Sequence, residues 1–314
     1  MQISLAPMQG YTDAVFRSAI SRIGGIDVFY APYMKIENGE IRTKYLNDIS
    51  RLNNVGINLV PQVLTNKAEE LIRAAETASD LGYGELNWNL GCPYPMATKR
   101  RLGAGLLPYP EIISEILDAF EGRTGIKLSV KMRLGLNSDD EIWKVIDVLN
   151  KHKISEIILH PRIAKQMYKG EADKSILPSV ILQSAHPVAY NGDIRKHSDA
   201  QQLISDNPQL SHFMIGRGLL FNPLLAKEIK GEPADVFQRR SNLHKLATDV
   251  AQHQLVRLQG EAHFVQKMTT YWEYWSHMFV NQHKVLKTVK KCRSVAEYDS
   301  VVQGFFANAI MVDE

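Results

Sequence analysis

Short apolar runs recur along the first two thirds of the chain, each followed by a polar loop and then by apolar positions at helical spacing. The runs are 3–8 (ISLAPM), 28–32 (VFYAP), 57–63 (INLVPQV), 85–89 (ELNWN), 127–133 (KLSVKMR), 156–160 (EIILH), 187–191 (PVAYN) and 212–216 (HFMIG). Helices are expected between them at 12–22, 66–81, 110–120, 139–150 and 198–206. Asn66, with Glu69 three positions on, reads as an N-cap. Strands alternating with helices in this way predict an α/β fold, the (β/α)8 TIM barrel. An open doubly wound sheet is the rival. It usually opens with a GxGxxG loop, and here the first run is followed by PMQGYTD. After residue 230 the period changes, and 236–258, 262–290 and 295–310 read as helices. GEPAD at 231–235 marks the boundary between a barrel domain at 1–232 and a helical domain at 233–314.

Composition narrows the class. The chain has 314 residues, 45% of them hydrophobic and 23% charged, as in a soluble globular enzyme. The start, MQISLAPMQG, does not resemble a signal peptide. No apolar run approaches the ~20 residues needed to cross a bilayer. The two cysteines, Cys92 and Cys292, could form one bridge, but a chain of this length needs no staple. The low count fits a reducing, cytoplasmic setting. There is no CxxC pair and no HExxH, so no metal site is expected. A monomer is expected. The net charge of +3 permits a polyanionic partner without demanding one.

Barrel enzymes place their chemistry at the C-terminal ends of the strands. The expected strands end in Pro7 and Met8, Gln62, Asn87 and Asn89, Lys131 and Arg133, His160 and Arg162, Asn191 with Gly192 and Asp193, and Gly216 with Arg217. Each alone has a bland explanation, since lysines sit on surfaces and asparagines cap helices. A run of strands all ending in hydrogen-bonding groups argues for a convergent site. The glycines of NGD (191–193) and GRG (216–218) let backbone N–H groups approach a ligand. The ends of strands seven and eight are the usual phosphate site of such barrels. Arg217 could add a bidentate contact. A phosphate there, with Gln62, Asn89, Lys131 and His160 around the mouth, suits a flat polar ring bearing a phosphate, as in FMN. Lys131 would face the charge that builds on the reduced ring. A sugar-phosphate isomerase or a Schiff-base aldolase using Lys131 is the rival. Cys92 is either a buried structural thiol or a chemical group.

The ordered set LAPMQGYTD (5–13), Gln62, LNWNLGCPYPMATKRRLGAGLL (86–107), VKMRLG (130–135), HPRIAKQMYKG (160–170), YNGDI (190–194) and MIGRGLLFNP (214–223) resembles the tRNA-dihydrouridine synthases. The C-terminal HFVQKMTTYW (263–272) is also similar to that family. The resemblance implies a barrel holding FMN and a helical domain that helps grip tRNA. It implies reduction of the C5–C6 double bond of a uridine with electrons from NADPH. Cys92 would then be the general acid, protonating C5 while hydride from flavin N5 reaches C6 on the other face. A thiol of ordinary pKa, ~8.5, stays mostly protonated at neutral pH, as a donor should.

The cofactor residues implied are Pro7, Met8, Gln62, Lys131, His160, Asn191, Gly192, Asp193, Gly216 and Arg217. Asn89, Arg133, Arg162 and Lys165 would face the substrate, and Lys284, Lys287 and Lys291 would hold tRNA phosphates. These three lysines share a helical face by successive steps of three and four residues in HKVLKTVKKCR (283–293). Arg162, Lys165 and Lys169 would extend that patch to the mouth. Lys99, Arg100 and Arg101 read equally as a phosphate-contacting edge or solvated surface. Tyr271 and Trp272 could stack on bases or pack in a core. Cys292 lies among lysines that could depress its pKa, but with no pocket in sight it reads as incidental. Pro161 replaces a glycine common in the family and restrains the backbone before Arg162. The short chain and HFVQKMTTYWEYW lean toward the branch acting on position 16 of the D-loop. An FMN enzyme of free dihydropyrimidines or dihydroorotate is the alternative. A scaffold on a decayed barrel is the non-enzymatic one.

Overall fold

The computed structural model describes residues 1–312. Eight parallel strands form a ring: β1 (Gln2–Leu5), β2 (Val28–Tyr30), β3 in two pieces (Leu59–Val60 and Gln62–Val63), β4 (Glu85–Leu90), β5 (Lys127–Gly135), β6 (Ile157–Ile163), β7 (Val188–Tyr190) and β8 (His212–Ile215). β8 returns to pair with β1. The ring closes through β3, which is interrupted at Pro61. Proline has no N–H to give to a ladder. The first half pairs with β2 and the second with β4.

Side-chain direction alternates along each strand, so every second residue faces the barrel interior. One parity is apolar and packs outward against the helices: Ile3, Leu5, Leu86, Trp88, Val130, Met132, Ile157 and Leu159 belong to the main core. The other parity supplies a small internal cluster of Ala6, Val28, Tyr30, Val60, Ile158, Ala189 and Met214. Continuing that inward parity to the strand ends reaches Gln62, Asn89, Lys131, His160, Asn191 and Gly216. The barrel is therefore a packed plug with polar groups at both mouths.

The helices are α1 (Ala14–Ser21), α2 (Thr43–Ile49), α3 (Ala68–Asp80), α4 (Pro95–Thr98), α5 (Pro110–Phe120), α6 (Glu141–Leu149), α7 (Leu177–Gln183), α8 (His197–Asp206), α9 (Arg217–Phe221) and α10 (Leu225–Ile229). Asp13 caps α1 by accepting from Phe16 N. Asn66 does not cap α3. Lys67 holds that position, while the Asn66 amide donates to the Arg100 carbonyl. A two-strand hairpin, Ile36–Glu37 with Glu40–Ile41, lies in the connection after β2.

Four further helices follow: α11 (Val236–Arg257), α12 (Glu261–Trp275), α13 (Gln282–Val289) and α14 (Val295–Asn308). A single helix over 262–290 does not form. The chain breaks after Trp275 into a 3₁₀ turn, and Phe279 pairs with Met311 across an antiparallel bridge. The helices share one apolar core with the barrel. Phe16 of α1 stacks on Tyr271 of α12 at 5.6 Å, and Tyr271 donates its hydroxyl to the Tyr11 carbonyl at 3.1 Å. Tyr271 and Trp272 are fully buried, and the Trp272 indole donates to Tyr298 Oη, so neither can stack on a base.

Candidate active site

A cleft opens at the C-terminal mouth of the barrel. Its wall includes Pro7, Met8, Lys131, His160, Asn191, Gly192, Asp193, Gly216 and Arg217. The loops after β7 and β8 are locked together. Asn191 donates its amide to the Met214 carbonyl at 2.6 Å. A Cβ on Gly218 would lie 2.1 Å from the Ile194 carbonyl oxygen, which only glycine tolerates.

Charge in the cleft is one-sided. Asp193 accepts from Arg162 and, at 2.9 Å, from Arg217. Burial works against its charge, but these contacts and the Ala172 N–H at 3.0 Å hold the carboxyl below its usual range. Burial, then Arg133, push the Lys131 ammonium down to about 7. Arg133 works against its charge, and Cys92 favours it. His160 is driven well below its usual pKa by burial and by Arg133, Lys131, Arg162 and Arg217. It is therefore neutral near pH 7. Its Nε2 lies 3.1 Å from Arg162 Nη1. A guanidinium can only donate, so Nε2 accepts and Nδ1 carries the proton.

Cys92 sits on a turn held from both sides. Asn89 Oδ1 accepts from Gly91 N at 3.0 Å and Cys92 N at 2.9 Å. The Asn89 amide donates to Gln62 Oε1 at 2.8 Å, Gln62 donates to Asn87 Oδ1 at 2.7 Å, and Asn87 donates to Ser129 Oγ at 2.9 Å. Four buried side chains thus run head to tail through the barrel and orient Asn89. Above the turn, Gly103 takes φ +57°, and a Cβ there would lie 2.6 Å from Cys92 Cβ. Ala104 N donates to the Cys92 carbonyl at 3.1 Å. The thiol itself reaches Tyr33 Oη at 4.0 Å.

This ordered mouth coincides with a family. The profile described as "Dihydrouridine synthase (Dus)" matches residues 4–309. The chain belongs to the dihydrouridine synthase family. A tRNA-dihydrouridine(16) synthase of Neisseria meningitidis serogroup B is 30% identical over 237 residues, 73% of this chain and 71% of that protein. tRNA-dihydrouridine synthase B of Pasteurella multocida is 28% identical, over 71% of this chain and 67% of that protein. Among solved structures, morphinone reductase superposes with a TM-score of 0.52 at 11% identity, over 74% of this chain and 86% of that chain. That likeness is one of fold.

Within this dihydrouridine synthase barrel, the remaining expected residues fall in distinct places. Gln62 is not on the cleft wall and is committed to the amide chain. Arg133 is buried, donating to the Gly91 and Ile163 carbonyls at 3.1 Å each. Arg162 is not part of a surface patch. It is 1% exposed and paired with Asp193. Lys165, Lys169, Lys99, Arg100 and Arg101 are exposed. Lys284 and Lys287 are exposed on α13, and exposed Lys291 lies just past its end. Cys292 is buried, and burial raises its thiol pKa. Tyr168 is a cleft residue that the reading of strand ends misses. Its ring lies between Arg133 at 5.3 Å and Arg217 at 5.0 Å and lines the cleft. Its place in QMYKG, beside the strand-six motif, is the signal that could have found it.

The charge at the mouth suits an anionic group. Lys131, Arg133, Arg162 and Arg217 act together on His160, and Asp193 pairs with only Arg162 and Arg217, leaving positive charge in excess. The buried Arg162 Nε–H has no protein partner among the described residues.

Proposed function

We propose that this chain is a flavin-dependent tRNA-dihydrouridine synthase that adds two hydrogens across the C5–C6 bond of a uridine. The observation that carries this reading is the Cys92 thiol, fixed by Asn89 and Gly103 beside a cation-rich cleft. Electrostatics alone leave the Schiff-base rival open, because an amine near pKa 7 is what an aldolase needs. The family match and the thiol turn favour reduction.

FMN would lie with its phosphate toward Gly192, Gly216 and Arg217 and its ring toward Met8, Lys131 and His160. A bound flavin, reduced by NADPH, supplies the hydride for C6. The protein supplies the proton. The Cys92 S–H bond breaks, the C5–H bond forms, and the S–H electron pair stays on sulfur, to be reprotonated from water. Lys131 opposes negative charge on the ring, and neutral His160 offers Nδ1–H as a donor. Asn89 and Arg133 would meet the uridine.

The test is stopped-flow kinetics of Cys92→Ala. NADPH should still bleach the flavin, while reoxidation by tRNA slows by about 10²–10⁴-fold, the usual contribution of a positioned proton donor. Reoxidation at the normal rate would rule out the role. Activity on free pyrimidines, with none on tRNA, would favour a dihydropyrimidine or dihydroorotate enzyme instead.

Several relatives are named for position 16, and we place the target there. Dihydrouridine mapping in tRNA from a deletion strain checks it: loss at 20 with 16 intact would overturn it. A cytoplasmic site of action follows from a tRNA substrate. For the RNA grip, removing the charges of Lys284, Lys287 and Lys291 should weaken tRNA binding and lower its salt slope by about one unit for each lysine that meets a phosphate.

A further inference from the structure

We propose that Tyr33 assists the proton transfer by donating its hydroxyl to the Cys92 thiolate as the thiol gives up its proton. This rests on the general-acid reading of Cys92 and adds a second residue to it.

Tyr33 follows β2, on a connection far in sequence from the Cys92 turn. The thiol lies 4.0 Å from its hydroxyl, the outer limit of a sulfur hydrogen bond. Contacts of catalytic groups are often long before substrate binds. The ring is held in place. It packs on the small cluster of Leu64, Cys92 and Ala97, with Leu102 beside it. Its carbonyl accepts from Gln9 Nε2 at 2.8 Å, tying the loop after β1 to the loop after β2. Among the described residues, the thiol is the hydroxyl's hydrogen-bond partner.

A tyrosine hydroxyl can accept or donate. In the resting protein it accepts the weak S–H. Once the proton moves to C5, sulfur carries the negative charge, and the O–H turns to donate to it. No proton leaves Tyr33, so atoms and charge balance without another reactant. A hydrogen bond to a charged partner is shorter and stronger than one to a neutral partner. The contact therefore gains strength as the thiolate forms, and that difference lowers the barrier.

The charged and titratable groups facing Cys92 are Tyr33, Tyr94, Lys131 and Arg133. The two cations act on the sulfur through space. Tyr33 alone of the four makes a directed hydrogen bond to it. Burial raises the Tyr33 phenol, and the neighbouring Cys92 adds to the rise, so the group remains protonated across the working range.

Tyr33→Phe removes one oxygen and keeps the ring. In flavin-loaded protein without tRNA, iodoacetamide alkylation of the Cys92 peptide is followed across pH by mass spectrometry. The alkylation midpoint should rise by about one pH unit, the size of one hydrogen bond to a charged group. Tyr94→Phe should leave it in place. In stopped-flow, Tyr33→Phe should slow reoxidation by tRNA about tenfold when Cys92 is present and not at all in Cys92→Ala, which isolates the pair. An unmoved midpoint, an equal shift in Tyr94→Phe, or equal slowing with and without Cys92 overturns the proposal. Should Cys92→Ala itself reoxidise at the normal rate, the general-acid reading falls and this proposal with it. Should Cys92→Ala be slow while Tyr33→Phe matches the unaltered protein in rate and midpoint, only the proposal falls.

Discussion

The two mouths of the barrel are built from the same eight strands and the same inward parity, yet they treat charge in opposite ways. At the N-terminal mouth Glu156 meets His212 Nδ1 at 2.7 Å, and His212 Nε2 meets Ser4 Oγ at 2.8 Å. Ser155 reaches Glu85 at 3.4 Å. Burial raises the Glu85 carboxyl, with Ser129 opposing the shift and Glu156 adding to it. The polar groups there satisfy one another. At the C-terminal mouth four cations crowd His160, one carboxylate pairs with two of them, and among the described residues Lys131 makes no ion pair. One end closes the plug and the other is arranged for something that is not protein. The amide chain from Ser129 to Asn89 joins them.

Substitutions at the two ends should therefore separate function from stability. Lys131→Met should slow reoxidation by tRNA by about 10²–10³-fold, as for loss of one preorganised electrostatic contact. Its urea midpoint without flavin should not fall, because desolvation disfavours the ammonium and, among the described residues, it makes no ion pair. A lower midpoint would mean that Lys131 stabilises the fold and that the mouths are alike. His212→Leu should do the reverse. It leaves Glu156 and Ser4 without their partner and should cost about 2 kcal/mol in urea unfolding, with flavin content and reoxidation rate unchanged.

The smallest effect is a fraction of a proton. Lys131 is depressed from 10.5 to about 7 in the protein alone. An anion bound beside it restores the charged form. Between those values FMN binding should take up protons, and flavin affinity should weaken as pH rises above about 7. At pH 6 the amine is already charged and no uptake is expected. Calorimetry in buffers of different ionisation enthalpy measures this, with Lys131→Met as the reference. Equal uptake in that variant would assign the proton to another group.

Much of the site is legible along the chain because strand parity is local. The inward positions of 127–133 and 156–160 carry Lys131, Arg133 and His160, and reading every second residue places them together. The glycines after strands seven and eight are readable for the same reason, since turn chemistry is a property of a few neighbours. Arg162 is misplaced by sequence because its partner, Asp193, lies 31 residues away. Nothing around HPRI says whether the guanidinium turns inward. The break in 262–290 is hidden because apolar spacing continues through it, while the chain after Trp275 turns and pairs Phe279 with Met311, a residue far along the chain. Tyr33 is invisible because its significance is a single contact to a residue 59 positions away.

The stack of Phe16 on Tyr271 also bears on engineering by recombination. A graft of another relative's C-terminal helices, cut at residue 232, would carry away Tyr271 and leave Phe16 facing a surface it did not evolve beside. Arg257 and Lys267, which meet Asp13, would go as well. The exchangeable unit is thus discontinuous: the helical segment together with the face of α1 on which it rests.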